Sequence, residues 1–278
     1  MSLRIASLNS GSNGNCYYIG NEKEAVLIDA GLSFRETMKR MEQLRLEPEM
    51  LKAVFISHEH TDHISGLEQL SRKLNLPVYI TEKTLYNTSV KLRNELINTF
   101  SADVFVDIGA LRILPFTKHH DAIDPHSFMV SGNGVHIGVI TDIGHACDDV
   151  INCFKQCDAV FLESNYCDEM LDKGNYPEVL KKRIRSKKGH LSNAQALELF
   201  LRYKPSHLQL LILSHLSQNN NTPETALSVF KNHAGNVKIV IAGRDAATEL
   251  FIVEASKNKS PFQPKALSHK PKQLSLFS

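Results

Sequence analysis

The sequence predicts an α+β fold in four layers, an αβ/βα sandwich in which two sheets carry helices on their outer faces. Three observations predict it: short apolar runs separated by turn signals crowd the first half, helical periods lie between several of them, and the second half interleaves strand-like with helix-like segments.

The first-half runs fall at 4–8, 16–19, 25–28, 53–56, 78–80, 104–106, 111–116, 128–130 and 135–140. Ser33 reads as an N-cap with Glu36 three residues on, opening a helix with Phe34, Met38, Met41 and Leu44 on one face. Helical stretches are predicted at 64–74 and 82–97, flanking the short strand near Val78. Beyond residue 158 the order is strand 159–162, helix 177–185, helix 193–202, strand 208–213, helix 223–232 and strand 237–241. No internal repeat of solenoid length interrupts this order.

A chain of 278 residues with 42% hydrophobic residues can bury a sizeable core, so residues 1–254 are expected to form one hydrolase-sized domain. The net charge of +2 is too mild to mark a nucleic-acid binder by itself. With no basic-then-apolar leader and no stretch of bilayer-spanning length, a cytoplasmic protein is expected. Cys16, Cys147, Cys153, Cys157 and Cys167 are odd in number and form no zinc-knuckle spacing, so incidental thiols are expected rather than a disulfide framework.

From residue 255 the composition changes. Lys257, Lys259, Lys265, Lys270 and Lys272 alternate with Pro261, Pro264 and Pro271, which predicts a flexible basic tail for 255–278. It ends in the apolar cluster Gln273-Leu274-Ser275-Leu276-Phe277.

The chemistry concentrates where the apolar run 53–56 stops, at His58-Glu59-His60-Thr61-Asp62-His63. At a strand end, residues i and i+2 point the same way, so His58 and His60 can grip one ion while Asp62 and His63 on the ensuing turn face a second. Imidazoles suit zinc and similar borderline ions, and a carboxylate helps to hold two cations close together.

His58-x-His60-x-Asp62-His63 after a strand resembles the signature of the metallo-β-lactamase superfamily, and nearly the whole chain to about Val253 can be laid on that pattern. The resemblance implies the sandwich fold and two divalent metal ions, zinc first and manganese as the alternative. It implies that Asp29 in Val26-Leu27-Ile28-Asp29 orients the histidine loop. Lys118-His119-His120-Asp121 offers two candidate ligands, of which His120 fits better. Asp142 in Thr141-Asp142-Ile143-Gly144 corresponds to the bridging carboxylate, and His215 in Ser214-His215-Leu216-Ser217 to the last ligand. The implied sets are His58, His60, His120 and Asp142 around one ion, and Asp62, His63, Asp142 and His215 around the other, with Asp62 also counted in the catalytic group.

Three further features resemble the YycJ/WalJ group of bacterial exonuclease-like proteins and, more distantly, ribonuclease Z. They are Ser10-Gly11-Ser12-Asn13-Gly14-Asn15, Gly189-His190-Leu191-Ser192, and His215-Leu216-Ser217 followed by Asn219-Asn220. In phosphodiesterase members a histidine placed like His190 serves the leaving group and is paired with a glutamate placed like Glu163, a task that suits an imidazole. The loop with Ser10, Ser12, Asn13 and Asn15 fits two uses, a cradle of backbone N–H groups for phosphate and a tight hairpin turn.

Lys181, Lys182, Arg183, Arg185, Lys187 and Lys188 crowd the segment that delivers His190, which favours capture of a phosphate backbone over a merely solvated face. The tail cluster Gln273, Leu274, Leu276, Phe277 resembles the motif by which bacterial repair and replication proteins bind the polymerase sliding clamp. The expectation is a two-metal phosphodiesterase acting on DNA, a 5′ to 3′ exodeoxyribonuclease of mismatch repair. The rival readings are an RNA-processing nuclease, a small-molecule ester or thioester hydrolase, and a clamp-associated protein whose metal site is structural.

Overall fold

Two seven-stranded sheets pack face to face in a computed structural model that describes residues 2–256. The first sheet holds β1 (Ser2–Asn9), β2 (Cys16–Gly20), β3 (Ala25–Ile28), β4 (Leu51–Phe55), β5 (Val78–Tyr79) and β6 (Ile97–Asn98). The second holds β7 (Val106–Ile108), β8 (Leu111–Thr117), β9 (His126–Gly132), β10 (Val135–Ile140), β11 (Ala159–Glu163), β12 (Leu210–Ser214) and β13 (Lys238–Ile241). A last strand, β14 (Phe251–Glu254), returns to pair antiparallel with β1, Ser2 opposite Glu254. The strand orders are β14-β1-β2-β3-β4-β5-β6 and β13-β12-β11-β10-β9-β8-β7.

The helices are α1 (Phe34–Gln43), α2 (Thr61–Ile64), α3 (Leu67–Leu74), α4 (Glu82–Tyr86), α5 (Asp148–Phe154), α6 (Asp168–Lys173), α7 (Glu178–Ile184), α8 (Asn193–Tyr203) and α9 (Pro223–Phe230). Because side chains alternate along a strand, each sheet sends one set inward and the other outward. Ile5, Val26, Ile28 and Phe55 meet Ile113, Phe128, Phe161 and Ile212 between the sheets. The alternate residues Leu27 and Val54 pack on Met41, Leu67 and Leu70 of α1 and α3, while Leu162, Leu211 and Leu213 pack on Phe154, Phe200 and Phe230. Each such side chain contributes about 1.5–3 kcal/mol by leaving water. The predicted α+β sandwich is therefore what forms.

The caps behave as the sequence suggests: Ser33 Oγ accepts from the Glu36 amide, and Ser192 with Gln195 closes a capping box at α8. The helix expected over 82–97 is a correction, since α4 stops at Tyr86. Asn87 and Thr88 turn their side chains onto the Lys83 and Leu85 carbonyls, and such local bonds favour a turn over further helix. The strand expected at 104–106 begins instead at Val106, and β14, α5 and α6 were not anticipated.

All five cysteines are free, with Cys153 and Cys157 Sγ atoms 3.9 Å apart. Among the described residues, no helix is long and apolar enough to cross a membrane. The expected tail from residue 257 onward, including Gln273, Leu274, Leu276 and Phe277, lies outside the described residues.

Candidate active site

Strand direction assembles the site. β3 and β4 run parallel in the first sheet, and β10, β11 and β12 run parallel in the second, so their C-terminal ends gather residues at one rim. Asp29 follows β3, His58 to His63 follow β4, His120 follows β8, Asp142 follows β10, Glu163 ends β11 and His215 follows β12. Asp29, Asp142 and His215 all take left-handed backbone angles, with φ of 63°, 54° and 57°. That conformation is costly for residues with a Cβ, and it turns each side chain off its strand toward a common centre.

The histidines are fixed by their outer nitrogens. His63 Nδ1 lies 2.7 Å from Asp29 Oδ2, while Asp29 also accepts from the Ser57 amide at 2.8 Å and the Ser57 hydroxyl at 2.9 Å. His58 Nδ1 donates to Ser57 Oγ at 2.8 Å, and His120 Nδ1 to the Gly189 carbonyl at 3.1 Å. The opposite nitrogens then converge, His58 Nε2 at 3.1 Å from His60 Nδ1 and His63 Nε2 at 3.1 Å from Asn15 Nδ2, where deprotonated imidazoles would face a cation. His58, His60 and His120 place ligand atoms within 4.8 Å of one another, and so do Asp62, His63 and His215. Asp142 stands between the two groups, 3.3 Å from His63 Nε2, 3.3 Å from His215 Nδ1 and 3.9 Å from His120 Nε2. The expected ligands thus come together as two clusters, with His120 in the site and His119 exposed beside His145.

Charge and satisfaction both suit divalent cations. Among the described residues, His215 Nε2 and Asp142 Oδ2 are buried without a hydrogen-bond partner. Burial, with His63 and Lys118 nearby, holds His58 well below the usual imidazole range, and burial pushes His120 down to about 4 against the pull of Asp142. Burial also opposes charge at His63, yet Asp29, Asp62 and Asp142 raise it well above that range. His215 reaches about 10, where Asp142 and Asp62 overcome burial. Despite burial, His63 and His215 hold Asp62 low, and His215 and His63 do the same for Asp142. Around Asp62 and Asp142 the centre is anion-rich and draws protons onto His63 and His215, and divalent cations would replace those protons.

The loop between β1 and β2 locks onto this centre. The Asn15 amide donates to the Asp62 carbonyl at 2.7 Å, and Gly31 lies so close that a Cβ there would sit 1.7 Å from that same oxygen. Ser10 Oγ accepts from the His215 amide at 2.7 Å and meets Tyr17 Oη at 2.8 Å. Ser10 and Asn15 are buried and engaged within the protein, whereas Ser12 and Asn13 are exposed. The loop is a hairpin connection whose inner residues brace His215 and Asp62.

Beside the clusters, His190 Nδ1 donates to Glu163 Oε1 at 2.8 Å, and Glu163 Oε2 accepts from the Ile143 amide at 2.7 Å. Glu163 is fully buried and held below the usual carboxylate range, burial being outweighed by His190 and His215. The His190 side chain keeps 23% exposure and opens onto a cleft of about 240 Å³, bounded by Ser12, Asp121, Arg183, His215 and Ser217. Of the expected phosphate-contacting cations, Arg183 reaches the cleft and pairs with Asp121, Arg185 pairs with Asp172, and Lys182, Lys187 and Lys188 are exposed.

Sequence reasoning passed over Ser57, Lys118 and Asn165. Asn165 donates to the His215 carbonyl at 2.7 Å, and buried Lys118 donates to the Thr141 carbonyl at 2.8 Å, just before Asp142. Their only signal is position, each lying at most two residues from a strand end that carries a site residue.

The beta-lactamase superfamily domain pattern matches residues 24–215, the stretch that runs from Asp29 to His215. The chain belongs to the metallo-β-lactamase superfamily. Within that superfamily it is 35% identical to exodeoxyribonuclease YycJ of Bacillus anthracis over 230 residues, covering 81% of this chain and 87% of that one. It is 32% identical to exodeoxyribonuclease WalJ of Streptococcus pneumoniae over 229 residues, covering 81% and 85%. Among solved structures, the metallo-β-lactamase fold protein YhfI of Bacillus subtilis superposes with a TM-score of 0.69 at 15% identity, covering 89% of this chain and 99% of that one. As a superfamily member the protein is a metal-dependent hydrolase.

Proposed function

We propose that this protein is an exodeoxyribonuclease that uses two divalent ions to remove nucleotides from DNA in the 5′ to 3′ direction during mismatch repair. The observation that carries the reading is the His190–Glu163 pair, set beside two ligand clusters in a cleft flanked by Arg183. The names of YycJ and WalJ support it.

His58, His60, His120 and Asp142 would hold one ion, and Asp62, His63, Asp142 and His215 the other. Zinc suits the histidines, while manganese suits Asp62 and Asp142. Bound there, divalent cations supply charge against phosphodiester oxygens and lower the pKa of water. Asp62 is the more exposed carboxylate of the ligand clusters, at 22% against 2% for Asp142, and is placed to accept a proton from the attacking water. Glu163 accepts the Nδ1–H of His190 in a hydrogen bond, so that with both ring nitrogens protonated Nε2 faces outward and gives its proton to the departing sugar oxygen, leaving the neutral Nδ1–H imidazole. Arg183 and the exposed Lys182, Lys187 and Lys188 offer charge to the strand.

Cleavage of 5′-labelled and 3′-labelled single- and double-stranded DNA with zinc or manganese tests the reading, beside His60→Ala and His190→Ala proteins and RNA and thioester controls. Stepwise loss from the 5′ end that both substitutions abolish, with inert controls, is the expected result. Turnover of RNA or a thioester with DNA untouched would overturn it.

A further inference from the structure

Arg244, in the loop after β13, stands behind Ser12 at the edge of this cleft. Arg183 pairs with Asp121, whereas among the described residues no carboxylate lies within ion-pair distance of Arg244. Its Nη2 donates to Ser12 Oγ at 3.2 Å, and Ser12 lines the cleft with His190 and His215. Its Nη1 is buried and has no hydrogen-bond partner among the described residues. An arginine donor in that state favours an acceptor that can meet it.

The segment is held in place rather than loosely draped. The Ser10 amide donates to the Gly243 carbonyl at 3.1 Å, Asn13 Nδ2 donates to the Arg244 carbonyl at 2.8 Å, and the Thr248 amide donates to the Ser7 carbonyl at 3.0 Å. Arg244 is thereby tied to the hairpin loop that also braces His215. The Ser12 hydroxyl, while accepting from Arg244, keeps its own proton to give. A planar guanidinium beside a hydroxyl donor is a recognition pair for a phosphate.

Resting on the reading of the site as a DNA phosphodiesterase, we infer that Arg244 and Ser12 bind the phosphate next to the scissile one and so set where the strand stops in the cleft. That phosphate is either the 5′-terminal monoester or the following diester. Both present the same oxygens to the guanidinium, and the substrate decides which is used.

The test compares wild type, Arg244→Gln and Arg244→Lys on three single-stranded substrates: 5′-phosphorylated, 5′-hydroxyl, and 5′-phosphorylated with a neutral methylphosphonate at the second linkage. Wild type should lose about tenfold or more in kcat/KM on whichever substrate lacks the contacted charge, as expected for one charge-assisted hydrogen bond. Arg244→Gln should show a raised KM on the full substrate and no further penalty on that altered one. Arg244→Lys, which keeps the charge without the fork, should fall between them. The salt dependence of DNA binding by Arg244→Gln should be shallower by about 0.7 in log–log slope, the share of one single-strand phosphate. Equal sensitivity of wild type and Arg244→Gln to all three substrates would overturn the assignment while leaving the nuclease intact. Failure of wild type to cut any DNA would overturn the functional reading itself.

Discussion

Nδ1 of His190 lies 2.8 Å from Oε1 of Glu163, and the same carboxylate oxygen lies 3.1 Å from Nδ1 of His215. One buried carboxylate therefore orients both the proposed proton donor and a proposed metal ligand. Replacing His190 with Ala should lower kcat by about 10²–10⁴, the usual worth of a positioned acid, with both ions retained. Glu163→Gln should lower kcat and also weaken metal retention, because it disturbs His215. At saturating metal, where the effect on His215 is offset, the double variant should be no slower than His190→Ala alone, since the two act as a unit in proton transfer. Full additivity in the rate constants would show that Glu163 serves only the metal side.

His119 and His120 are adjacent in sequence and separate in space. His120 reaches His58 and His60, while His119 stacks near His145. His120→Ala should lose metal, read by elemental analysis of the purified protein. His119→Ala should keep two ions per chain and stay within a few-fold of wild-type turnover. The reverse pattern would move the ligand.

Gly31 leaves no room for a side chain, because a Cβ would meet the Asp62 carbonyl at 1.7 Å. Gly31→Ala should cost about 1–3 kcal/mol through forced backbone movement. Since the displaced residue is Asp62, metal retention should fall as well. Denaturant titration with and without added metal separates the two effects.

Deleting residues 273–278 should abolish binding to a bacterial sliding clamp, measured by surface plasmon resonance, and leave turnover on free DNA unchanged. Those residues lie outside the described part of the chain, so this expectation rests on the motif Gln273-Leu274-Ser275-Leu276-Phe277 alone. Loss of turnover together with clamp binding would give the tail another role.

Much of the site was legible because its residues sit at strand ends, where apolar runs such as 53–56, 137–140 and 210–213 stop at His58, Asp142 and His215. Local pattern marks those places. What remained hidden depends on contacts between distant segments. Ser57 reads as an ordinary strand terminus until Asp29, 28 residues away, is seen to accept from it. Arg244 reads as a surface cation until it is found 232 residues from Ser12 and bonded to it. Ser10 and Asn15 have the composition of a phosphate loop, and only packing reveals that they face inward. The break after Tyr86 was missed because the apolar spacing continues while the backbone preferences of Asn87 and Thr88 do not.

The residues that converge at the rim are supplied by both sheets, from Asp29 near the start of the chain to His215 near its end. Such a centre has consequences during synthesis on the ribosome. A partly made chain that carries His58 to His63 but not β12 lacks the last of the proposed ligands, and it also lacks the His190–Glu163 pair until β11 and the segment before α8 have docked. Hydrolytic competence therefore arrives late and all at once, when the second half closes on the first. Truncated or stalled products should be inert toward substrate, whatever metal they scavenge.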